Sequence, residues 1–334
     1  NTTFNIESNW KGQNILLHFG AVDWKTEVWL NGVKIGSHTG GYTPFSFDIT
    51  PFIAGTTQQL TVKVWDPSNE GTQPRGKQVK NPEGIWYTPV TGIWQTVWIE
   101  PVNKKNITTI KTTPNIDQNV ISMKTEVSGA SYGDVIEVTV YDDSKTIATG
   151  KASVGENLEI VLNNPKLWSP ESPFLYKTNV KLISNGKVVD QVKSYFAMRK
   201  IGSKRDENGV LRMQLNNKDY FQFGPLDQGW WPDGLYTAPT DEALKYDIVK
   251  TKELGFNMIR KHVKVEPERW YTHCDELGIL VWQDMPSGDL GNKWEMRVGD
   301  YGGTDKDRTP ESEASYKKEW KSIMETLHNF PSIV

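Results

Sequence analysis

The chain has 334 residues and a formal charge of −3, from 38 lysines and arginines against 41 aspartates and glutamates. The length predicts two or three domains, and the charge provides no basic surface for nucleic acid. The longest apolar runs, such as that at residues 15–17, are too short to span a membrane, and Cys274 as the single cysteine excludes an internal disulfide or a multi-cysteine metal site.

Residues 1–103 show the period-2 alternation of β-strands and no helical stripe. Asn31-Gly32, between apolar runs at 28–30 and 33–35, predicts a tight hairpin. Further alternating runs at 45–49 and 60–65 complete a pattern that indicates a two-sheet sandwich. Four tryptophans in strand runs are predicted to lie in its core: Trp29, Trp65, Trp94 and Trp98.

Residues 104–200 continue the β pattern in plainer form. Strands are predicted at 120–127, 135–141, 158–162, 176–183 and 188–196. Glycines and asparagines, such as the pair Asn185-Gly186, separate these runs. Several strands within about 100 residues are typical of an immunoglobulin-like sandwich.

From Tyr220 the period changes and helices enter the pattern. Strands are predicted at 221–224, 256–260, 279–282 and 333–334. Between them lie a helix that begins at Thr240 and ends at Gly255, a helix from Pro267 to Gly278, and a third that begins at Thr309. The third has an apolar face formed by Tyr316, Trp320, Ile323, Met324 and Leu327.

Alternating strands and helices with short connections predict a parallel sheet with helical crossovers. A closed eight-stranded barrel needs about 250 residues, so residues 201–334 form either a small open α/β domain or the first half of a barrel. Because the chain stops inside a predicted strand, we expect the half barrel.

Three groups of motifs resemble glycoside hydrolase family 2, which includes β-galactosidases, β-glucuronidases and β-mannosidases. Residues 17–24, 28–32 and 92–95 resemble its sugar-binding sandwich, and residues 165–170 (Pro-Lys-Leu-Trp-Ser-Pro) resemble the end of its immunoglobulin-like domain. Residues 255–260, with His262 and Asp284, resemble the opening strands of its catalytic barrel. The resemblance implies a jelly-roll domain at 1–103, an immunoglobulin-like sandwich at 104–200 and the first part of a (β/α)₈ TIM barrel at 201–334.

The resemblance also implies where the catalytic groups lie. In that family an acid/base Glu follows an Asn at the end of the fourth barrel strand, and a nucleophilic Glu lies at the seventh strand. Residues 328–334 resemble the run that precedes the Asn-Glu pair. We therefore expect both glutamates beyond Val334, no catalytic carboxyl pair within this chain, and no turnover by it alone.

Polar side chains at predicted strand ends are the candidates for substrate binding, because barrel enzymes place their chemistry there. By resemblance, Arg260 sits beside the nucleophile and keeps it ionised; the alternative is a structural tie between strand ends. His262 either hydrogen-bonds a sugar hydroxyl or is a solvated loop residue. Asp284 either orients substrate or Arg260, or is a structural acid. Asp227, in the loop after the first strand, either contacts sugar or caps a turn.

Aromatic and basic loops give weaker candidates. Trp231, with Trp230, either forms a wall for a sugar ring or fills a gap between domains. Trp86-Tyr87 either reaches the barrel mouth or packs internally. The basic loop at residues 74–78 either meets an acidic sugar or is a solvated turn.

Two departures from the family pattern bear on substrate and metal. No acid precedes Gly92-Ile93, where many galactosidases and glucuronidases carry an Asp, and Ser287-Gly288 stands where some galactosidases place a magnesium-binding Glu. We therefore expect no metal and no cofactor, and galactose specificity does not carry over.

The function favoured by the resemblance is retaining hydrolysis of terminal β-linked sugars, β-galactosidase-like, with β-glucuronides or β-mannosides as alternative substrates. Two other classes remain: a non-catalytic carbohydrate-binding or scaffold protein, and an interaction module whose sandwiches form a homo-oligomer. A carbohydrate is the expected partner, with neither nucleic acid nor membrane. The chain does not begin with Met, so a periplasmic or secreted location is expected only by analogy.

Overall fold

The computed structural model describes residues 1–288 and 309–334. Within these residues strands predominate over helices, with 22 strands and three α-helices. All three helices follow residue 240. This order agrees with the predicted succession of β-sandwiches and a segment that contains helices.

The N-terminal part is a sandwich of two antiparallel sheets. Their strand orders are β1-β7-β4-β5 and β6-β2-β9, and a short pair joins β3 to β8. Their facing sides enclose a buried apolar core that includes Ile15, Leu17 and Val28. The strands are β1 Thr2–Asn5, β2 Asn14–Phe19, β3 Val22–Asp23, β4 Lys25–Leu30, β5 Val33–Thr39, β6 Phe45–Asp48, β7 Thr57–Trp65, β8 Gly92–Ile93 and β9 Val97–Val102.

The predicted hairpin at Asn31-Gly32 is confirmed. Leu30 pairs with Val33 across it, and the two turn residues have φ angles of 51° and 81°. Two consecutive positive φ angles match the twist that a two-residue hairpin requires. Local sequence is therefore sufficient to determine this turn.

The prediction that the strand tryptophans lie in the core holds for Trp94 and is wrong for Trp65 and Trp98. Trp94 is 4% exposed, whereas Trp65 and Trp98 are 55% and 43% exposed. Trp98 pairs with His18, and their rings stack with centroids 4.8 Å apart. Trp98 and His18 lie on the outward side of their strands, where alternation turns every second side chain to solvent.

The second sandwich is formed by sheets of order β10-β11-β14 and β13-β12-β15-β16. All five predicted strands are present, and β10 and β13 were missed. β13 is an edge strand without a fully buried residue, so it lacks the apolar alternation that reveals a strand in sequence. The strands are β10 Asn106–Asn115, β11 Val120–Ser128, β12 Val135–Asp142, β13 Lys145–Ser153, β14 Asn157–Val161, β15 Tyr176–Ser184 and β16 Lys187–Phe196.

The C-terminal segment combines a small antiparallel sheet, β17-β18-β19, with a three-stranded parallel sheet, β20-β21-β22. The strands are β17 Ile201–Arg205, β18 Leu211–Leu215, β19 Lys218–Asp219, β20 Leu226–Asp227, β21 Met258–Lys261 and β22 Leu280–Gln283. The helices are α1 Asp241–Glu253, α2 Glu268–Leu277 and α3 Pro310–Leu327. Near the end of the chain, Ile333 forms a parallel bridge to Val281, as the predicted strand at 333–334 requires.

The helix ends follow the sequence signals. Thr240 and Thr309 cap α1 and α3 by accepting backbone N–H groups at 3.1 and 3.2 Å. Gly278 ends α2 with a φ of 71°. Pro267 is the residue before α2 rather than its first residue.

The first parallel strand lies later than predicted. Residues 221–224 are not a strand, and β20 begins at Leu226. The Asn257 side chain holds this segment instead, since it donates to the Phe221 carbonyl and accepts from the Phe223 N–H, both at 2.8 Å. A Cβ on Gly224 would lie 1.6 Å from the Met258 carbonyl oxygen. The chain therefore passes directly against the start of β21 at Gly224, and it pairs with β21 only from Leu226 onwards.

The parallel sheet has two different faces. Ile259 and Val281 pack against the helices in a buried core. Leu226, Arg260 and Trp282 stand in register on the opposite face, where all three are exposed. Polar side chains on this open face are thus accessible to a ligand.

The predicted apolar face of α3 is partly wrong. Ile323 and Leu327 are buried, but Trp320 and Met324 are 45% and 55% exposed. The buried stripe is completed by Ser312 and Glu319 instead. A polar group thus occupies a core position that a hydrophobic pattern cannot identify.

Polar contacts fix this segment against both sandwiches. The Trp168 indole donates to the Asp275 carbonyl at 2.9 Å, and Arg199 donates to the carbonyls of Pro331 and Ile333 at 3.0 and 2.8 Å. Glu319 accepts the Gly41 and Tyr42 N–H groups at 2.8 and 3.2 Å.

Neither these three helices nor any other helical stretch in residues 1–288 and 309–334 has the length and apolarity needed to cross a membrane.

Candidate functional site

Three of the predicted site residues meet at the ends of β21 and β22. Arg260 donates to Asp284 through Nε and Nη2, each at 3.0 Å from a different carboxylate oxygen. His262 Nδ1 lies 2.7 Å from Asp284 Oδ2. We call Arg260, His262 and Asp284 the front cluster. Their side chains are between 19% and 45% exposed.

The strand ladder sets the positions of these residues. Arg260 points to the open face of β21, and His262 follows two residues later on the same side. The His262 N–H donates to the Asp227 carbonyl at 2.8 Å, and the Asp284 N–H donates to the Lys261 carbonyl at 3.1 Å. The carboxyl ends of the parallel strands therefore bring the cluster together.

Behind the front cluster lies a second charged group that the sequence did not reveal. Lys261 donates to Asp227 Oδ2 at 2.7 Å and to Glu266 Oε1 at 2.9 Å. Lys264 is 3.0 Å from the same Glu266 oxygen and donates to the Tyr236 carbonyl at 2.9 Å. We call Asp227, Lys261, Lys264 and Glu266 the back cluster. Both lysine side chains are 1% exposed.

The back cluster is electrically balanced, with two cations and two anions. Burial alone lowers the pKa of the Lys261 ammonium, but Glu266 and Asp227 outweigh it and hold the pKa above its usual value. Burial likewise raises the pKa of the Asp227 carboxyl, and Lys261 overcomes this so that the net direction is downward. Lys264 differs, because burial prevails and its pKa is lowered despite Glu266.

Asp227 is therefore placed differently from the expectation of a loop residue. It ends β20, and its Oδ1 accepts the Gly229 N–H at 2.8 Å while Oδ2 accepts Lys261. It thus caps the turn and belongs to the back cluster. Its lowered pKa does not suit a general acid.

The two neighbouring tryptophans, Trp230 and Trp231, have different surroundings. Trp230 stacks on Tyr87 of the first sandwich with centroids 4.6 Å apart and also packs on Tyr236. Trp231 pairs through its backbone with Leu235 and is half-buried. Trp230 therefore fills a gap between the N-terminal sandwich and the helical segment.

Alternation along β21 was the signal that could have revealed the back cluster. Arg260 and His262 lie two residues apart and so share one face of the strand, which means that Lys261 between them had to point to the other face. A buried lysine requires a partner of opposite charge. Lys264 and Glu266 follow within five residues, although their return to Lys261 depends on the loop.

The basic loop at 74–78 is not a solvated turn. Arg75 and Gln78 are 4% and 1% exposed. The Arg75 and Gly76 N–H groups both donate to the Ser287 carbonyl at 2.8 Å. The loop thus crosses from the first sandwich to the segment that follows β22, three residues beyond Asp284.

Two cavities flank the Asp284 segment. One of 200 Å³ is lined by Asp284, Met285 and Trp320 among others. Another of 340 Å³ is lined by residues that include Pro74, Ser287 and Tyr316. The first cavity leaves space for a small ligand beside Asp284 of the front cluster.

In the part of the chain that the structure describes, no group of three His, Cys, Asp or Glu side chains is arranged to hold a metal ion. Cys274 is a free buried thiol, and burial raises its pKa. It therefore lacks the reactive form that nucleophilic chemistry requires.

Sequence profiles of one enzyme family match the two sandwiches. The profile described as "Glycosyl hydrolases family 2, sugar binding domain" matches residues 1–99. The profile described as "Glycosyl hydrolases family 2" matches residues 95–199. Together the two matches cover more than half of the chain.

Similar proteins extend the match beyond the sandwiches. A putative β-glucuronidase of Formosa agariphila is 29% identical over 316 residues, which are 90% of this chain and 28% of that protein. A β-galactosidase of Thermoanaerobacter pseudethanolicus is 28% identical over 298 residues, which are 85% of this chain and 38% of that protein. The chain thus spans about a third of the length of these relatives.

Solved structures share the fold over the whole chain. A β-glucuronidase from Ruminococcus gnavus in complex with D-glucuronic acid superposes with a TM-score of 0.80 at 20% identity, covering 100% of this chain and 55% of that one. A β-glycosidase from Bacteroides vulgatus gives a TM-score of 0.77 at 24% identity, covering 100% and 41%. With both sandwiches matched in order by its profiles, the chain belongs to family 2 of the glycosyl hydrolases.

Proposed function

We propose that the intact protein is a retaining glycoside hydrolase that acts on terminal β-linked sugars. The observation that carries this proposal is the front cluster, with an Arg bound bidentately by an Asp at the ends of parallel strands. Family membership gives this arrangement its context. Carboxylates, a guanidinium and an imidazole beside small cavities suit the recognition of sugar hydroxyls.

In this proposal residues 1–103, 104–200 and 201–334 are a jelly-roll domain, an immunoglobulin-like sandwich and the first part of a (β/α)₈ barrel. The parallel order β20-β21-β22 with helical crossovers supports the barrel assignment. So does the parallel bridge from Val281 to Ile333.

Arg260 keeps a nucleophilic carboxylate ionised through charge and hydrogen bonding. Asp284 orients the Arg260 guanidinium. The same carboxylate holds the His262 imidazole, which contacts a sugar hydroxyl. Trp231 lies in the loop after β20 and offers an aromatic surface to the sugar. Asp227 holds this loop in place through Gly229 and Lys261.

Retaining hydrolysis needs two carboxyls about 5–5.5 Å apart, one as acid/base and one as nucleophile. Asp284 and Asp227 are both engaged in ion pairs, which leaves neither available for these roles. We propose that two glutamates from sequence beyond Val334 supply them. The 334-residue chain alone then hydrolyses no aryl glycoside.

The test is to express the protein from its whole gene and to assay aryl β-galactosides, β-glucuronides and β-mannosides. Hydrolysis by the intact protein, none by residues 1–334, and a loss of about 100-fold or more in kcat/KM for Arg260→Ala would support the proposal. Turnover by the 334-residue chain would refute the placement of the carboxyl pair. The matched control is Arg269→Ala, whose side chain is 55% exposed and pairs with Asp241 away from the site.

A non-catalytic carbohydrate-binding role is the second candidate. The outward-facing Trp98, stacked on His18, favours it, because an exposed indole suits the face of a sugar ring. Retained sugar binding by an intact protein that hydrolyses no glycoside would support this role over the first.

A further inference from the structure

The loop at 72–90 of the first sandwich brings a lysine to the edge of the candidate site. Gly76 lies so close to the Val263 carbonyl oxygen that a Cβ would stand 2.4 Å from it. Val263 follows His262, and the same loop binds the Ser287 carbonyl, three residues after Asp284. Lys77 is the next residue of the loop, so its backbone lies beside the ends of β21 and β22.

The loop holds Lys77 in a defined position. The Lys77 carbonyl accepts the Tyr87 N–H at 2.9 Å, and Tyr87 stacks on Trp230. The next side chain, Gln78, turns inward and donates to Asp23 Oδ2 at 2.9 Å. Gly76 and Lys77 form a turn, with a φ of 63° at Gly76, and Gln78 then bridges Tyr87, so the backbone is held on both sides of Lys77.

The Lys77 ammonium has no carboxylate partner among the residues that the structure describes. Across residues 1–288 and 309–334 no carboxylate lies within ion-pair distance of its ammonium, although the side chain is half-buried. Burial lowers the pKa of this ammonium. By contrast Lys80, three residues later in the same loop, pairs with Glu70 at 2.5 Å.

This arrangement differs from both charged clusters. Each cation of the front and back clusters has a carboxylate partner. A partly desolvated cation without one is costly to stability, and such departures from local satisfaction concentrate at functional sites. An anionic group bound between this loop and the ends of β21 and β22 would supply the missing partner.

We propose that Lys77 is a specificity-determining residue that binds an anionic substituent of the sugar. The chemistry fits a carboxylate, as in a uronic acid, or a sulfate ester. This inference rests on the proposed function, and it assigns part of the specificity to the first sandwich rather than to the barrel.

The test compares three aryl substrates with the intact protein: a β-D-glucuronide, a β-D-galactoside and a 6-O-sulfo-β-D-galactoside. In Lys77→Met we expect the ratio of kcat/KM for the preferred anionic substrate to that for the neutral galactoside to fall about 10- to 100-fold. Lys77→Arg restores most of the ratio, since it returns the charge. Lys80→Met is the matched control and leaves the ratio unchanged.

The anionic substrate that responds identifies the source of the charge. The inference is overturned if Lys77→Met leaves the ratio unchanged, if it lowers all three activities equally, or if the protein hydrolyses only the neutral galactoside. In those outcomes glycoside hydrolysis persists and the proposed function stands. If the intact protein hydrolyses none of the three substrates nor a β-mannoside, the proposed function and this inference both fail.

Discussion

Neighbouring residues of β21 build two charged clusters with opposite surroundings. Arg260 and His262 point to the open face of the sheet and meet Asp284, where solvent and a ligand have access. Lys261 lies between them in sequence, points toward the helices and is almost completely buried with Glu266. The strand thus presents a charged site on one face and a charged core on the other.

The difference shows how the same kinds of groups serve separate purposes. Ion pairs in water contribute about 0–1 kcal/mol each, because solvent screens them and competes for their hydrogen bonds. Removing one partner of a buried ion pair is strongly destabilising, because the remaining charge is left in a low-dielectric interior without a counterion. We therefore expect the back cluster to govern stability and the front cluster to govern chemistry.

The largest effect is expected from Lys261→Met. It leaves Asp227 and Glu266 with only Lys264 as a cation, and the free energy of unfolding should fall by about 3–5 kcal/mol. Urea denaturation of the 334-residue chain measures it. The double variant Lys261→Met, Asp227→Asn should recover part of the loss, because one uncompensated charge is removed with its partner. Equal stability of Lys261→Met and the parent would contradict a balanced buried cluster.

Glu319 is a buried carboxylate that has no lysine within ion-pair distance among residues 1–288 and 309–334. Burial raises the pKa of Glu319 to about 7, although it accepts two backbone N–H groups. Its folded pKa exceeds its unfolded pKa, so stability is fully present below about pH 4.5 and is lost as the pH rises through 7.

Glu319→Gln should therefore reduce the fall in unfolding free energy between pH 5 and pH 8 by on the order of 2 kcal/mol. Denaturation curves at the two pH values measure this. Glu325→Gln, on the exposed side of α3, serves as control. Unchanged pH dependence in Glu319→Gln would show that this carboxylate does not titrate in the range. Burial also raises the pKa of Asp275 to about 7. Part of the fall in unfolding free energy between pH 5 and pH 8 should therefore remain in Glu319→Gln.

For Asp227 we expect a smaller effect on the free energy of unfolding, with a pH dependence opposite in sign to that of Glu319. Its folded pKa is lowered, so its contribution is present above the usual carboxyl range and is lost as the pH falls through the folded pKa. Asp227→Asn should lower stability at pH 7 by about 1–3 kcal/mol and flatten the decline toward pH 3. Acid titration followed by circular dichroism tests this. Asp233→Asn, an exposed neighbour, should leave the titration unchanged.

The smallest effect is expected from Arg260→Met, the counterpart of Lys261→Met one residue earlier. Removing a partly exposed ion pair with Asp284 should change the free energy of unfolding by less than about 1 kcal/mol. The same urea denaturation measures it. A loss as large as that of Lys261→Met would mean that the front cluster is structural as well.

The sequence named the three residues of the front cluster as candidates, and Asp227 of the back cluster, but not Lys261, Lys264 and Glu266, and the reason is physical. Arg260, His262 and Asp284 follow strands recognisable from their apolar runs, and parallel strands bring their ends together by geometry. The partners of Lys261 come from the end of another strand and from a loop that turns back. Loop paths of this kind leave no periodic signal.

Similar limits explain the errors in the fold. The edge strand β13 lacks buried side chains, the true position of β20 depends on the contact of Gly224 with Met258, and Glu319 is buried because the first sandwich offers it two N–H groups. In each case the deciding contact joins residues far apart in the chain.

The sequence by itself determined the strands with alternating cores, the Asn31-Gly32 turn, the threonine caps of α1 and α3, and the family to which the motifs belong. These features depend on neighbouring residues, whose propensities and spacing act locally. Only the tertiary structure decided which charges are buried together, where Trp65 and Trp98 point, and that the loop with Lys77 crosses to the ends of β21 and β22. Those outcomes depend on which distant surfaces meet, because burial and charge pairing are properties of the packed chain.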